Sequence, residues 1–112
     1  MSSVPRIREF LVIVPDRPGT KDKRLEVRPT HFKNLAPLIE SGEWKMGGAL
    51  LNSVPEADDP TTFDFLGSTL VCRAESKEQI VEQLKKDIYV SSGVWDLDKV
   101  QIYPFICAFR KP

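Results

Sequence analysis

The sequence predicts an α+β domain in the split βαβ order, with a four-stranded antiparallel sheet and two helices on one of its faces. Three observations lead there. Four short runs rich in β-branched and aromatic residues alternate with two stretches of helical periodicity, in the order strand, helix, strand, strand, helix, strand. The chain has 112 residues, the length of one ordinary domain, so residues 1–112 are expected to share one core spanning about 9–109. The two halves are loose copies of each other, and a hairpin-like segment joins them.

The first strand covers residues 9–14 and stops at Pro15, where Asp16-Arg17-Pro18-Gly19-Thr20 is strong turn chemistry. Residues 16–28 read as a charged loop, in which Arg17, Lys21, Lys23, Arg24 and Arg28 outnumber Asp16, Asp22 and Glu26. Such a loop is either solvated surface or a weak attractor for a small anion. Pro29 suits the first turn of a helix, and Phe32, Leu35, Ala36 and Ile39 then recur at i, i+3, i+4 and i+7 up to Gly42. Pro37 inside that stripe predicts a kink or a loosened segment between Lys33 and Pro37. Residues 45–54 read as a second strand in which Gly47-Gly48 marks a bulge or a close approach by a ligand.

Residues 55–62 are polar and punctuated by proline, and they lead into a third strand over about 65–73. Ser76 and Gln79 form a capping box, and Ile80, Leu84 and Ile88 mark the buried face of a second helix that frays near Asp87. Residues 89–98 are irregular. Residues 100–109, rich in Ile, Tyr and Phe, close the chain as a fourth strand.

A sheet with one wet face should show a polar parity along its strands, and these strands do not. Phe10, Val12 and Val14 oppose Leu11 and Ile13, while Val100, Ile102 and Ile106 oppose Tyr103, Phe105, Cys107 and Phe109. Two helices cover one face, so the other is buried either by a second copy, giving a homodimer through sheet faces, or by loops over a ligand groove. The homodimer is the simpler expectation.

Sixteen Lys+Arg balance sixteen Asp+Glu, which argues against nucleic acid or an anionic membrane as a partner. The longest apolar run, residues 10–14, falls far short of the roughly 20 residues that span a bilayer. Residues 1–9 lack an apolar leader core. Cys72 and Cys107 lie in apolar runs without a CxxC pattern or paired histidines, so both are expected as buried free thiols in a reducing cytoplasmic setting, with no metal site.

Familiar catalytic signatures such as GxSxG, GxGxxG, HExxH and the phosphate-cradling GxxxxGK[ST] are absent. His31 stands alone, near the expected start of the first helix and at the edge of its apolar stripe. It is either structural or a proton-transfer group. Asp87, in the expected last turn of the second helix, opposes the helix dipole and therefore needs compensation. Either it caps the turn beginning at Ile88, or its carboxylate holds a histidine and raises that ring's basicity. Arg28, one turn before His31, is placed to hold a carboxylate or enolate oxygen, or is simply a surface arginine. Trp44, Tyr89, Trp95 and Tyr103 are candidate walls of an apolar pocket or simply members of the core or of an interface, and Gly48 is a candidate point of ligand approach.

Taken in order, His31, Gly42, Gly47-Gly48, Gly67, the helix start at Ser76, Asp87-Ile88-Tyr89 and Gly93 make the chain similar to the YCII-related (YciI-like) proteins. The resemblance implies a ferredoxin-like, dimeric α/β-barrel fold and a His31–Asp87 dyad. It further implies cofactor-free proton transfer on a small cyclic or aromatic metabolite, as in a related dehydrochlorinase and in muconolactone isomerases. The chain departs from the family pattern in carrying Ile88 after Asp87 and a long charged segment before His31. The expected function is isomerisation, elimination or dehydration without a cofactor. A non-catalytic module binding a small molecule and a cofactor-free quinol monooxygenase are the alternatives.

Overall fold

Alternation along β1 (Arg8–Pro15) sets the layering: Phe10, Val12 and Val14 are buried under the helices, while Leu11 and Ile13 lie half-buried on the opposite face. In the computed structural model, which describes residues 6–112, the chain continues through α1 (Lys21–Ser41), β2 (Trp44–Leu51) and β3 (Phe65–Ala74). It ends with α2 (Lys77–Lys85), the short α3 (Ile88–Ser91) and β4 (Gln101–Phe105). The strands form one antiparallel sheet in the order β2-β3-β1-β4, the arrangement expected of the split βαβ order.

Leu70, Cys72 and Ala74 of β3 join Phe10, Val12 and Val14 on the inner face, where Ile80 and Leu84 of α2 and Leu35 and Leu38 of α1 pack onto them. Between Trp44 and Met46 the pairing with β3 shifts by a bulge, so Trp44 opposite Cys72 and Gly47 opposite Leu70 both lie on this inner side. Trp44 is fixed there by its indole N–H, which donates to Gln83 Oε1 at 2.9 Å. At the far end, Arg110 pairs with Glu9 at 2.7 Å, and that hydrogen bond holds the Glu9 carboxyl below its ordinary range.

Several expectations are corrected. The charged stretch 16–28 is a loop only as far as Thr20, whose hydroxyl donates to the Arg17 carbonyl at 2.7 Å; from Lys21 it is helix. Lys, Arg, Glu and Leu are strong helix formers, and here they outweigh the proline signal. Pro29 therefore sits inside α1 instead of opening it, and the helix runs unbroken through Pro29 and Pro37. His31 lies in the middle of the helix and not near its start. β2 ends at Leu51, and β4 ends at Phe105 instead of reaching residue 109, leaving Phe109 exposed and Cys107 only half-buried. Pro104 is tolerated in β4 because that strand is an edge of the sheet.

The second helix also differs from its expected form. α2 ends at Lys85, and Asp87 starts α3 as its N-cap, accepting the Tyr89 N–H at 2.9 Å. The anticipated clash with a helix dipole does not exist, because the carboxylate sits at the favourable N-terminal end.

The face of the sheet away from the helices carries Leu11, Ile13 and Phe105, with Met46 and Tyr103 about half exposed at 52% and 50%. Among the described residues no helix is long and apolar enough to cross a membrane. The leader expectation rests in part on residues 1–5, which lie outside the described residues.

A Cβ on Gly67 would collide with the Val14 carbonyl and Pro15 of the neighbouring strand, both backbone atoms. Gly67→Ala is therefore expected to lower unfolding free energy by about 1–3 kcal/mol, read from a denaturant titration. An unchanged midpoint would contradict this packing. Burial in the core pushes the Cys72 thiol up to about 12, whereas Cys107 is half-buried and only touches the Phe109 carbonyl. A thiol reagent at neutral pH should label Cys107 and spare Cys72 in the native protein, and label both after denaturation.

Candidate active site

One stripe of α1 builds a wall of the site, because residues at i, i+4, i+7 and i+11 share a helix face. Here those positions are Arg24, Arg28, His31 and Leu35, all of which line a cavity of about 580 Å³ between α1 and the inner side of the sheet. Two of the four, Arg24 and His31, are almost completely buried, at 4% and 5% exposure. Polar groups so deeply enclosed require partners. Both have them.

His31 Nδ1 lies 2.9 Å from Asp87 Oδ1, and the carboxylate is itself buried at 7% exposure. The same oxygen accepts the Tyr89 backbone N–H as the cap of α3. An ionised carboxylate only accepts, so Nδ1 is the donor, and in the neutral ring the basic lone pair is on Nε2. The ring is clamped as well as paired. Tyr89 stacks on it with centroids 3.9 Å apart and planes at 16°, and Trp95 meets it edge-on at 5.7 Å.

Arg24, expected in a charged loop that is either solvated surface or a weak attractor for a small anion, instead anchors a second buried network. Its Nη1 donates to both Asp16 oxygens at 2.7 and 2.9 Å, and its Nη2 donates to Ser68 Oγ at 2.8 Å. Trp95 Nε1–H donates to the same Ser68 oxygen at 3.1 Å. The guanidinium also lies over the rings of Phe65 and Tyr89, at 4.6 and 4.9 Å. Burial raises the Asp16 carboxyl above its ordinary range, against the opposing pull of Arg24. Once α1 is started at Lys21, the spacing of seven between Arg24 and His31 is the signal that would have found this group.

Of the residues singled out in the sequence, Arg28, His31, Trp44, Gly48, Tyr89 and Trp95 all line the cavity, and Asp87 stands behind His31. Arg28 lies over Phe32 at 4.8 Å. Tyr103 does not line the cavity: it lies in β4 on the outer face, where its hydroxyl donates to Gln101, so the pocket-wall alternative fails for it and the interface one is left. Gly48 has open space where a side chain would project, while a Cβ on Gly47 would meet Leu70 Cδ2 at 2.9 Å. Among the described residues, no cluster of His, Cys, Asp or Glu could hold a metal ion, and no Asp or Glu lines the cavity. Chemically, the arrangement offers an oriented imidazole base, an aromatic-walled hollow and cationic side chains.

The chain is 38% identical over 104 residues to the Aspercryptin biosynthesis cluster protein B of Emericella nidulans, covering 93% of this chain and 66% of that protein, slightly under two thirds of its length. It is 34% identical over 99 residues to Fusaric acid biosynthesis protein 2 of Gibberella fujikuroi, covering 88% of this chain and 93% of that one. A solved structure of similar fold is 5-chloro-2-hydroxyhydroquinone dehydrochlorinase from Burkholderia phenoliruptrix AC1100, in complex with 2,5-dihydroxybenzoquinone. It superposes with a TM-score of 0.72 at 24% identity, covering 88% of this chain and 93% of that one. The model of the YCII-related domain matches residues 9–106, and with the ferredoxin-like order of strands and helices this chain belongs to the YCII-related family.

Proposed function

We propose that this protein is a cofactor-independent enzyme that moves a proton on a small cyclic or aromatic metabolite, in an isomerisation, elimination or dehydration. The observation that carries the reading is the 2.9 Å contact between His31 Nδ1 and Asp87 at the wall of the cavity. With Nδ1 committed to the carboxylate, His31 Nε2 takes a proton from a carbon beside a carbonyl or from a phenol. The electron pair of the broken bond moves onto the ring oxygen, and the resulting imidazolium is stabilised by Asp87. The proton then returns at another position, or a leaving group departs as the carbonyl re-forms.

Asp87 is the positioning residue of this scheme, fixing tautomer and ring direction. Arg28 is assigned to a carboxylate or enolate oxygen, and Trp44, Gly48, Tyr89 and Trp95 shape the space around the ring. The solved relative acts on a small chlorinated aromatic and holds a dihydroxyquinone, and two relatives by sequence are named for biosynthesis of small molecules. These support the substrate class.

One observation favours a binding module instead. The Asp87 oxygen that meets His31 also caps α3, so the pair staples α1 to α3 whether or not it transfers protons. The two readings separate on turnover. In D2O, with a panel of phenols, hydroxyquinones and lactones, the wild type is expected to incorporate solvent deuterium or form product. His31→Asn, whose amide N–H can replace the Nδ1 donor to Asp87, should lose roughly 10²–10⁴-fold in that rate while keeping ligand affinity and fold. Binding by the wild type without any exchange or turnover across the panel would establish the module and refute the enzyme.

We propose in addition that two copies bury their outer sheet faces against each other, since Leu11, Ile13, Met46, Tyr103 and Phe105 leave that face apolar. Light scattering behind size exclusion should return twice 12.7 kDa, and Ile13→Lys should halve it. A wild-type mass of 12.7 kDa at micromolar concentration would contradict the pairing.

A further inference from the structure

Ser68 lies on β3 at the inner side of the sheet, 4% exposed, with its side chain on the cavity lining. A hydroxyl oxygen has two lone pairs and one proton. Both lone pairs are engaged, one by Arg24 Nη2–H at 2.8 Å and the other by Trp95 Nε1–H at 3.1 Å. Its proton has no acceptor among the described residues. With Cβ and two donors occupying three tetrahedral directions, the O–H is left the fourth, and a buried donor without an acceptor is costly. Two donors, one of them charged, also withdraw electron density from the oxygen and strengthen the hydroxyl as a donor.

Trp95 links this hydroxyl to the base. Its indole N–H ends on Ser68 while its ring meets His31 edge-on at 5.7 Å, so both groups border the same hollow. Asp16 balances the charge of Arg24 from behind, and the lining itself carries Arg28 and Lys45 but no carboxylate. The cavity therefore favours negative charge on whatever enters it. We propose that the Ser68 hydroxyl is the hydrogen-bond donor to the ionised ring oxygen of a phenolate- or enolate-type ligand, with Arg24 as the positioning residue behind it. The inference rests on the proton-transfer reading for its ligand class. It adds the group that receives the charge when His31 removes the proton: the electron pair freed from the broken bond comes to rest on the oxygen that Ser68 holds, and no bond to Ser68 forms.

The test compares two probes of equal shape, 2,5-dihydroxybenzoquinone, whose hydroxyls ionise, and 2,5-dimethylbenzoquinone, which carries no such oxygens. Calorimetric titration of Ser68→Ala should show roughly 10- to 100-fold weaker binding of the dihydroxy probe than the wild type, with the dimethyl probe unchanged within about threefold. Ser68→Thr, which restores a hydroxyl, should recover much of the loss and guards against a folding defect in the alanine variant. Equal weakening of both probes in Ser68→Ala, or no weakening of either, would overturn the proposal, as would a wild type that does not prefer the dihydroxy probe. Failure of deuterium exchange with probe binding and its Ser68 dependence intact would sink the enzymatic reading alone.

Discussion

A carboxylate buried between two helices governs how this domain is put together. Asp87 has nowhere to be solvated, so its stability there depends on the Tyr89 N–H and on His31. That requirement places α3 against the middle of α1, and it converts an imidazole that would otherwise be a buried polar liability into a ring with one assigned tautomer. Removing one member of such a pair leaves the other enclosed without compensation, a loss of about 3–5 kcal/mol when the pair is charged. Structural need and chemical readiness thus rest on the same atoms.

The second network obeys the same logic about two turns nearer the start of the helix. Arg24 is tolerated in the interior because Asp16 meets Nη1 with two oxygens and Ser68 accepts from Nη2. The aromatic rings of Phe65 and Tyr89 cover the guanidinium faces and keep water away. Both networks use α1 as their common spine, so the face that in an ordinary amphipathic helix would be leucine is here given to arginine and histidine. The cavity beside it persists because the inner residues of β2 at Gly47 and Ala49 are too small to fill it.

How much of this was legible in the residues depends on which signal each element carried. The strands announced themselves by β-branched runs, and their order specified the sheet. Proline misled at the first helix: Pro29 is a good opener, but the run Lys21 to Arg28 has the propensity to start the helix two turns sooner, and the packing of Arg24 holds it there. Asp87 was recognised as needing compensation, yet the two explanations offered as alternatives occur together, since one oxygen caps α3 and meets His31. Ser68 had no local signature at all. A serine in a strand becomes informative only when two donors from distant segments, Arg24 and Trp95, converge on it.

The proposed proton transfer depends on which nitrogen of one ring carries hydrogen. Long-range 1H–15N correlation spectra of the uniformly 15N-labelled protein, which contains His31 as its single histidine, report directly which nitrogen bears hydrogen in the neutral form. In the neutral ring, a protonated Nδ1 beside a bare, pyridine-like Nε2 is the expected pattern. A proton resident on Nε2, or the averaged shifts of a freely exchanging imidazole, would mean that Asp87 does not hold the ring and that the proposed base is not there.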